Sequence, residues 1–337
     1  MNRYINFFRF CVFLSLIIII YSCDDNDDDD TEYVGNWVEL SDFEGVVRSD
    51  AVAFTIGDRG YVGTGYDGYY RLKDFWQYDP ERNTWTQKAD LPGSARNGAV
   101  GFSINNKGYI GTGFNGINKM NDFWEYDPEQ NTWNRKADFG GTERYGAIGF
   151  SINGKGYIGT GFDGNYLKDF WEYNPGNNTW TQKTSVGGSK RKDATAFVIN
   201  DMGYVCTGIH NGEYVDDFWE YDPVNDLWTK KNSISNATDE DFDDDYSMIG
   251  ISMVSFTVNG KGYLATGGQG VVGADVWEYD PVTDLWEKKT SFEGSSRVDA
   301  VAFSIGSRAY LTTGRSSSYY FDDLWAFDPD NEYNEYD

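Results

Sequence analysis

The stretch AVGFSINNKGYIGTGFNGINKMNDFWEYDPEQNTWNR, residues 99–135, holds four short runs set apart by turn signals. Ala99-Val100-Gly101-Phe102-Ser103-Ile104 alternates and ends in Asn105-Asn106-Lys107-Gly108. Tyr109-Ile110-Gly111-Thr112-Gly113 is the second run. Asp122-Phe123-Trp124-Glu125-Tyr126 is the third, closed by Asp127-Pro128, and Asn131-Thr132-Trp133-Asn134-Arg135 is the fourth. Alternating runs between such turns predict four antiparallel strands.

The same unit recurs along the chain. Trp37, Trp85, Trp133, Trp180, Trp228 and Trp286 are separated by 48, 48, 47, 48 and 58 residues. Phe54, Phe102, Phe150, Phe197, Phe256 and Phe303 repeat in a second phase, and Tyr61, Tyr109, Tyr157, Tyr204, Tyr263 and Tyr310 in a third. Four residues after each of those tyrosines comes a glycine preceded by threonine, as in Gly63-Thr64-Gly65. Six copies of a four-stranded unit predict an all-β, six-bladed β-propeller over residues 35–337. The first run of each copy carries small residues, such as Ala51, Ala53, Gly98 and Gly101, which suits a strand crowded around a central axis. The last copy has no tryptophan after Phe327, whereas Trp37 stands in an orphan run at 36–40. The N-terminal strand is therefore expected to close the sixth blade as its outer strand and remove an open sheet edge.

Tyrosine and tryptophan stand seven apart in Tyr78/Trp85, Tyr126/Trp133, Tyr173/Trp180, Tyr221/Trp228 and Tyr279/Trp286. In this pairing and in its period the chain resembles the Kelch family, whose repeat is about 50 residues. The resemblance covers 35–337. The family's double glycine appears here mostly as Gly-Thr-Gly, with a true pair only at Gly267-Gly268. Kelch propellers include interaction modules, the copper enzyme galactose oxidase and sialic-acid mutarotases, so the resemblance leaves the function open.

Composition narrows it. A net charge of −26 argues against nucleic acid as a partner, because phosphate binding needs a basic face. The copper chemistry of the oxidase uses two histidines, and the chain has only His210, read as a loop residue. Cys11, Cys23 and Cys206 are too few and scattered for a disulfide framework or a zinc site. Cys206 reads as a small buried residue, since no basic partner for a catalytic thiol can be located. No catalytic residue, metal or cofactor is assigned.

Residues 1–22 read as a signal peptide: Arg3 and Arg9 precede an apolar run, FCVFLSLIIIIY, too short for a comfortable membrane span. Ile20-Tyr21-Ser22-Cys23 resembles the bacterial lipobox, in which the cysteine is lipidated. Residues 23–34 follow as an acidic tether, with six aspartates among the seven residues after Cys23. The expectation is a monomeric lipoprotein at the outer membrane or cell surface, with the periplasmic side as the alternative. The lipid is its only link to the membrane.

Propeller geometry puts the loop between strands two and three on the same side as the blade-to-blade connection. On that side the candidate ligand residues are Tyr69, Tyr70, Tyr166, Tyr214, Tyr319 and Tyr320, on glycine-rich polar loops. With them stands a ring of arginines, Arg48, Arg96, Arg144, Arg191 and Arg297, each six residues before its Phe. These arginines read either as clamps for an anionic ligand or as struts between blades. The fifth copy has Gly250 in that place and an acidic insertion, 232–249, read as a solvated loop. The leading expectation is binding of a glycan or a protein through this face. The rivals are an enzyme on an anionic sugar, of mutarotase or epimerase type, and a structural subunit of an envelope complex.

Overall fold

The computed structural model describes residues 34–336 except 237, 238, 240 and 245. The signal segment 1–22, Cys23 and the tether up to residue 33 lie outside the described residues. Six four-stranded antiparallel sheets form the blades. In blade 1, for example, the order from the axis outward is Val52–Ile56, Arg59–Gly63, Phe75–Asp79 and Thr84–Lys88. Neighbouring innermost strands touch in a closed circle, blade 6 against blade 1. Blade 6 consists of Val301–Ile305, Arg308–Thr312, Leu324–Glu332 and, as its outer strand, the N-terminal Val34–Glu39. Trp37 pairs with Phe327 across that junction, as the sequence leads one to expect.

The repeated aromatics are explained by how blades stack. Each second strand is buried on both faces, and in blades 1–5 it carries a glycine where the Phe of the preceding blade presses in, with Ala309 in that place in blade 6. A Cβ on Gly108 would meet the Phe54 ring at 2.5 Å, and one on Gly156 would meet Phe102 at 2.5 Å. Gly108→Val should therefore cost about 1–3 kcal/mol of stability and lower the midpoint of chemical unfolding accordingly, since the ring has nowhere to go in a packed core. An unchanged midpoint would show that blades 1 and 2 do not interlock here.

The seven-residue Tyr/Trp spacing also has a cause. Tyr126 and Trp133 face each other across the third and fourth strands of blade 2. The Tyr126 hydroxyl donates to Asn131 Oδ1 at 2.8 Å, and the same oxygen accepts the Ala89 N–H at 2.9 Å. Trp133 Nε1 donates to Ala89 O at 2.8 Å, so one turn ties two blades together.

The insertion at 232–249 departs from the expected solvated loop. Ile234, Tyr246 and Met248 are buried between blades 4 and 5, and Tyr246 packs its ring against Trp277. The Tyr246 hydroxyl accepts the Trp286 N–H at 2.6 Å. Apolar residues at both ends of the insertion outweigh the repulsion among its aspartates. Asp241–Asp243 forms a single 3-10 turn.

Candidate functional site

The arginines come first, because their burial decides what the top of the propeller can do. All five are fully buried. In each, Nη1 donates to the carbonyl of the threonine that precedes the repeated glycine in its own blade, at 2.9–3.1 Å. Each Nε donates to the carbonyl two residues earlier, at 2.8–3.1 Å. Each guanidinium is paired with an aspartate that opens its third strand: Asp74, Asp122, Asp169, Asp217 and Asp323. Burial pushes the carboxyls of Asp74, Asp122 and Asp169 up, but hydrogen bonds and charge from their arginines outweigh it. They are held below the ordinary carboxylate range.

These contacts also account for Gly-Thr-Gly. Thr64, Thr112, Thr160, Thr207, Thr266 and Thr313 all have φ between 56° and 63°, which a β-branched residue adopts only under constraint. The next glycine donates its N–H to the following blade's backbone, from Gly65 to Arg96 O at 2.8 Å and around to Gly314 and Arg48 O at 2.8 Å. A Cβ on Gly65 would lie 2.8 Å from Ser49 O. The arginine side chains are thus struts within their own blades, not between blades as one reading of the sequence has it, and with every side-chain nitrogen engaged inside the protein they do not line an open mouth. In blade 5 the strut is missing at Gly250, and Asp275 pairs with Lys288 instead at 2.9 Å.

The mouth belongs to the residues two places further on: Asp50, Gly98, Gly146, Asp193, Ser252 and Asp299. All six have φ between 53° and 61°. Backbone bonds link five of their junctions, such as Gly98 N–H to Asp50 O and Asp50 N–H to Asp299 O, both 3.0 Å. Together with Ala51, Ala99, Ala147, Ala194, Met253 and Ala300 they line an open axial cavity of ≈ 130 Å³. Met253 stands where the other blades have alanine and narrows the channel below, which its neighbours Ala51, Ala99, Ala147 and Ala194 also line.

Asp193 is paired with Lys192 at 2.7 Å and Asp299 with Arg315 at 3.0 Å. Asp50 instead accepts from the Asn97 amide at 3.0 Å. Burial, then the charges of Asp299 and Asp193, push its carboxyl up to about 8. The folded protein then holds a proton that the unfolded chain releases near pH 4, so this group weakens the fold as pH rises from about 4 to 8. Asp50→Asn keeps a side chain that tolerates positive φ. It should stabilise the protein by on the order of 2 kcal/mol at pH 8.5 and by less at pH 5. Thermal unfolding at both pH values checks this; a gain that is equal at both would show that Asp50 does not titrate there.

Aromatic residues stand next in the chain to the lining or bridged to its neighbours, though none is part of the lining itself. Isolated bridges join the residue after each arginine position to the residue after each Thr-Gly pair, as from Ser49 to Tyr66, Asn97 to Phe114 and Tyr145 to Phe162. Tyr145 lies 5.7 Å from Phe114 and 5.8 Å from Phe162, and Phe162 lies 5.2 Å from Tyr166. Tyr166 meets His210 at 5.2 Å, and Tyr66 meets Tyr320 at 6.2 Å. Arg71 sits over the Tyr66 and Phe114 rings at 4.6 and 5.4 Å, and Lys192 over Tyr145 at 5.3 Å. Of the tyrosines expected at the site, Tyr166 and Tyr320 join this half-buried cluster. Tyr69, Tyr70 and Tyr319 are loop tips, 84%, 74% and 67% exposed. Tyr214 lies in a two-residue ribbon opposite Ile209. Tyr66, Phe114, Tyr145 and Phe162 are not among the residues expected at the site; the signal for Tyr66, Phe114 and Phe162 is the aromatic following Gly-Thr-Gly, and Tyr145 follows its blade's arginine.

Elsewhere, Cys206 is fully buried, and burial pushes its thiol far up, so it is an inert core residue. His210 Nδ1 lies 2.5 Å from Lys190 O, which fixes one ring nitrogen on a backbone carbonyl. No group of three or more potential metal ligands is found among the described residues.

Fold and mouth together define a six-bladed β-propeller with an axial cup at one end. Its first two blades carry the Kelch motif, matched at residues 48–92 and 96–140. The solved structure of YjhT superposes with a TM-score of 0.72 at 16% sequence identity, over 85% of this chain and 95% of that one. At that identity the likeness shows the fold alone. No curated protein matches the chain.

Proposed function

We propose that the chain is a binding module, anchored outside the cytoplasm by a lipid on Cys23, that takes a glycan at the axial cup. The Kelch propeller is an architecture of binding and interaction. The observation that carries the glycan is the cup itself, a cavity of ≈ 130 Å³ lined by aspartates and small residues, with a cluster of half-buried aromatic rings attached to the same strand connections. Aromatic faces suit the apolar face of a sugar ring, and carboxylates accept hydrogen bonds from its hydroxyls. The exposed tips Tyr69, Tyr70 and Tyr319 extend the surface for a longer chain. An enzyme that clamps an anionic sugar with the arginine ring has no support, because those guanidinium groups are buried and paired.

Two experiments test this reading. Tyr66→Ala and Tyr320→Ala should keep the melting temperature within a few degrees and weaken glycan binding by roughly 1 kcal/mol or more each; equal affinity in both variants would remove the aromatic cluster from the site. Cys23→Ala should move the protein from the membrane to the soluble or unprocessed fraction. A variant that still sediments with membranes and migrates like the parent contradicts the anchor.

A further inference from the structure

Resting on the glycan reading, we infer that the cup selects a saccharide end that is free of acid groups and rich in hydrogen-bond donors. Among the described residues, Asp50, Asp193 and Asp299 are the only ionisable side chains lining the cavity. The cations nearby do not line the cavity and are not free for a ligand. Lys192 and Arg315 are committed to Asp193 and Asp299, and Arg71 lies over two aromatic rings while its Nε donates to Asn97 Oδ1 at 3.1 Å. The arginines that could have met a carboxylate are sealed in their blades. A sugar hydroxyl or an amino group entering along the axis finds acceptors, whereas an entering carboxylate meets the carboxylates of Asp193 and Asp299 with their cations behind them and outside the lining, joined by a charged Asp50 only above about pH 8. Like charges brought together in this way discriminate strongly between ligands. The acid at Asp50 also weakens the fold, a burden of the kind that proteins keep at functional sites.

The test is a glycan array carrying matched neutral, amino and uronic- or sialic-acid-terminated oligosaccharides, probed with the chain 34–337 and then followed by calorimetry on the matched pairs. Neutral or amino ends should bind at least roughly tenfold more tightly than their acidic counterparts. The variant Asp193→Asn/Asp299→Asn, checked for an unchanged fold by circular dichroism, should narrow that gap severalfold by admitting the acidic ligands. Acidic ends that bind as well as or better than neutral ones overturn the inference and leave the glycan reading standing. So does a gap that survives in the folded double variant, since the carboxylates would then not be its cause. An array with no hits at all removes the glycan reading, and the inference falls with it.

Discussion

Arg144→Ala should destabilise the protein by about 3–5 kcal/mol, enough to unfold a marginal domain at physiological temperature. The guanidinium it removes leaves the Asp169 carboxylate in a largely buried place without its partner, and the Thr160 carbonyl without its donor at 2.9 Å. It also removes the cation over the Phe139 ring at 4.8 Å. Asp169→Ala should harm the fold comparably, because it strands the guanidinium instead. The double variant Arg144→Met/Asp169→Leu should recover much of the loss, as replacing both buried partners with apolar groups often does. Urea titrations of the three variants give the comparison. A folded Arg144→Ala protein with near-parental stability would mean that the arginines are not struts.

Removal of the N-terminal strand should have an effect of similar size. Trp37 is fully buried, with its ring 4.9 Å from Phe292 and 4.6 Å from Phe327. Replacing a buried tryptophan with alanine costs about 3–5 kcal/mol. Deleting 34–39 goes further, because it strips Leu324–Glu332 of its outer partner and leaves an unpaired edge. We expect Trp37→Ala to lower the melting temperature and the deletion to aggregate on heating. A deletion variant that stays monomeric with an unchanged melting temperature would contradict closure through this strand.

The propeller was legible because its aromatics are spaced by packing. Phe54 must sit on Gly108, and Tyr126 must face Trp133, so the residue type repeats wherever the contact repeats. Closure was legible for the same reason, since Trp37 fills the outer place that the last copy lacks. The arginines were visible as a ring, but their role was open, because a guanidinium serves ligand and structure equally well. The partner was nonetheless in the sequence: an aspartate stands 26 residues after four of them and 25 after Arg144, each time just before the third strand. The cup was hidden for a physical reason. Asp50, Gly98, Gly146, Asp193, Ser252 and Asp299 share a backbone conformation and not a side chain, so no repeating residue marks them. The insertion misled because its charge dominates its composition, while Ile234, Tyr246 and Met248 decide its packing.

The most direct test of the account is hydrogen–deuterium exchange with and without a saturating saccharide taken from the array. Binding at the cup should slow exchange at residues 66–71, 114–119, 145–146, 162–166 and 315–320, and leave the turns at 105–107, 128–131 and 153–155 unchanged. Protection confined to those turns, at the opposite end of the propeller, would place the ligand on the wrong face and contradict the account.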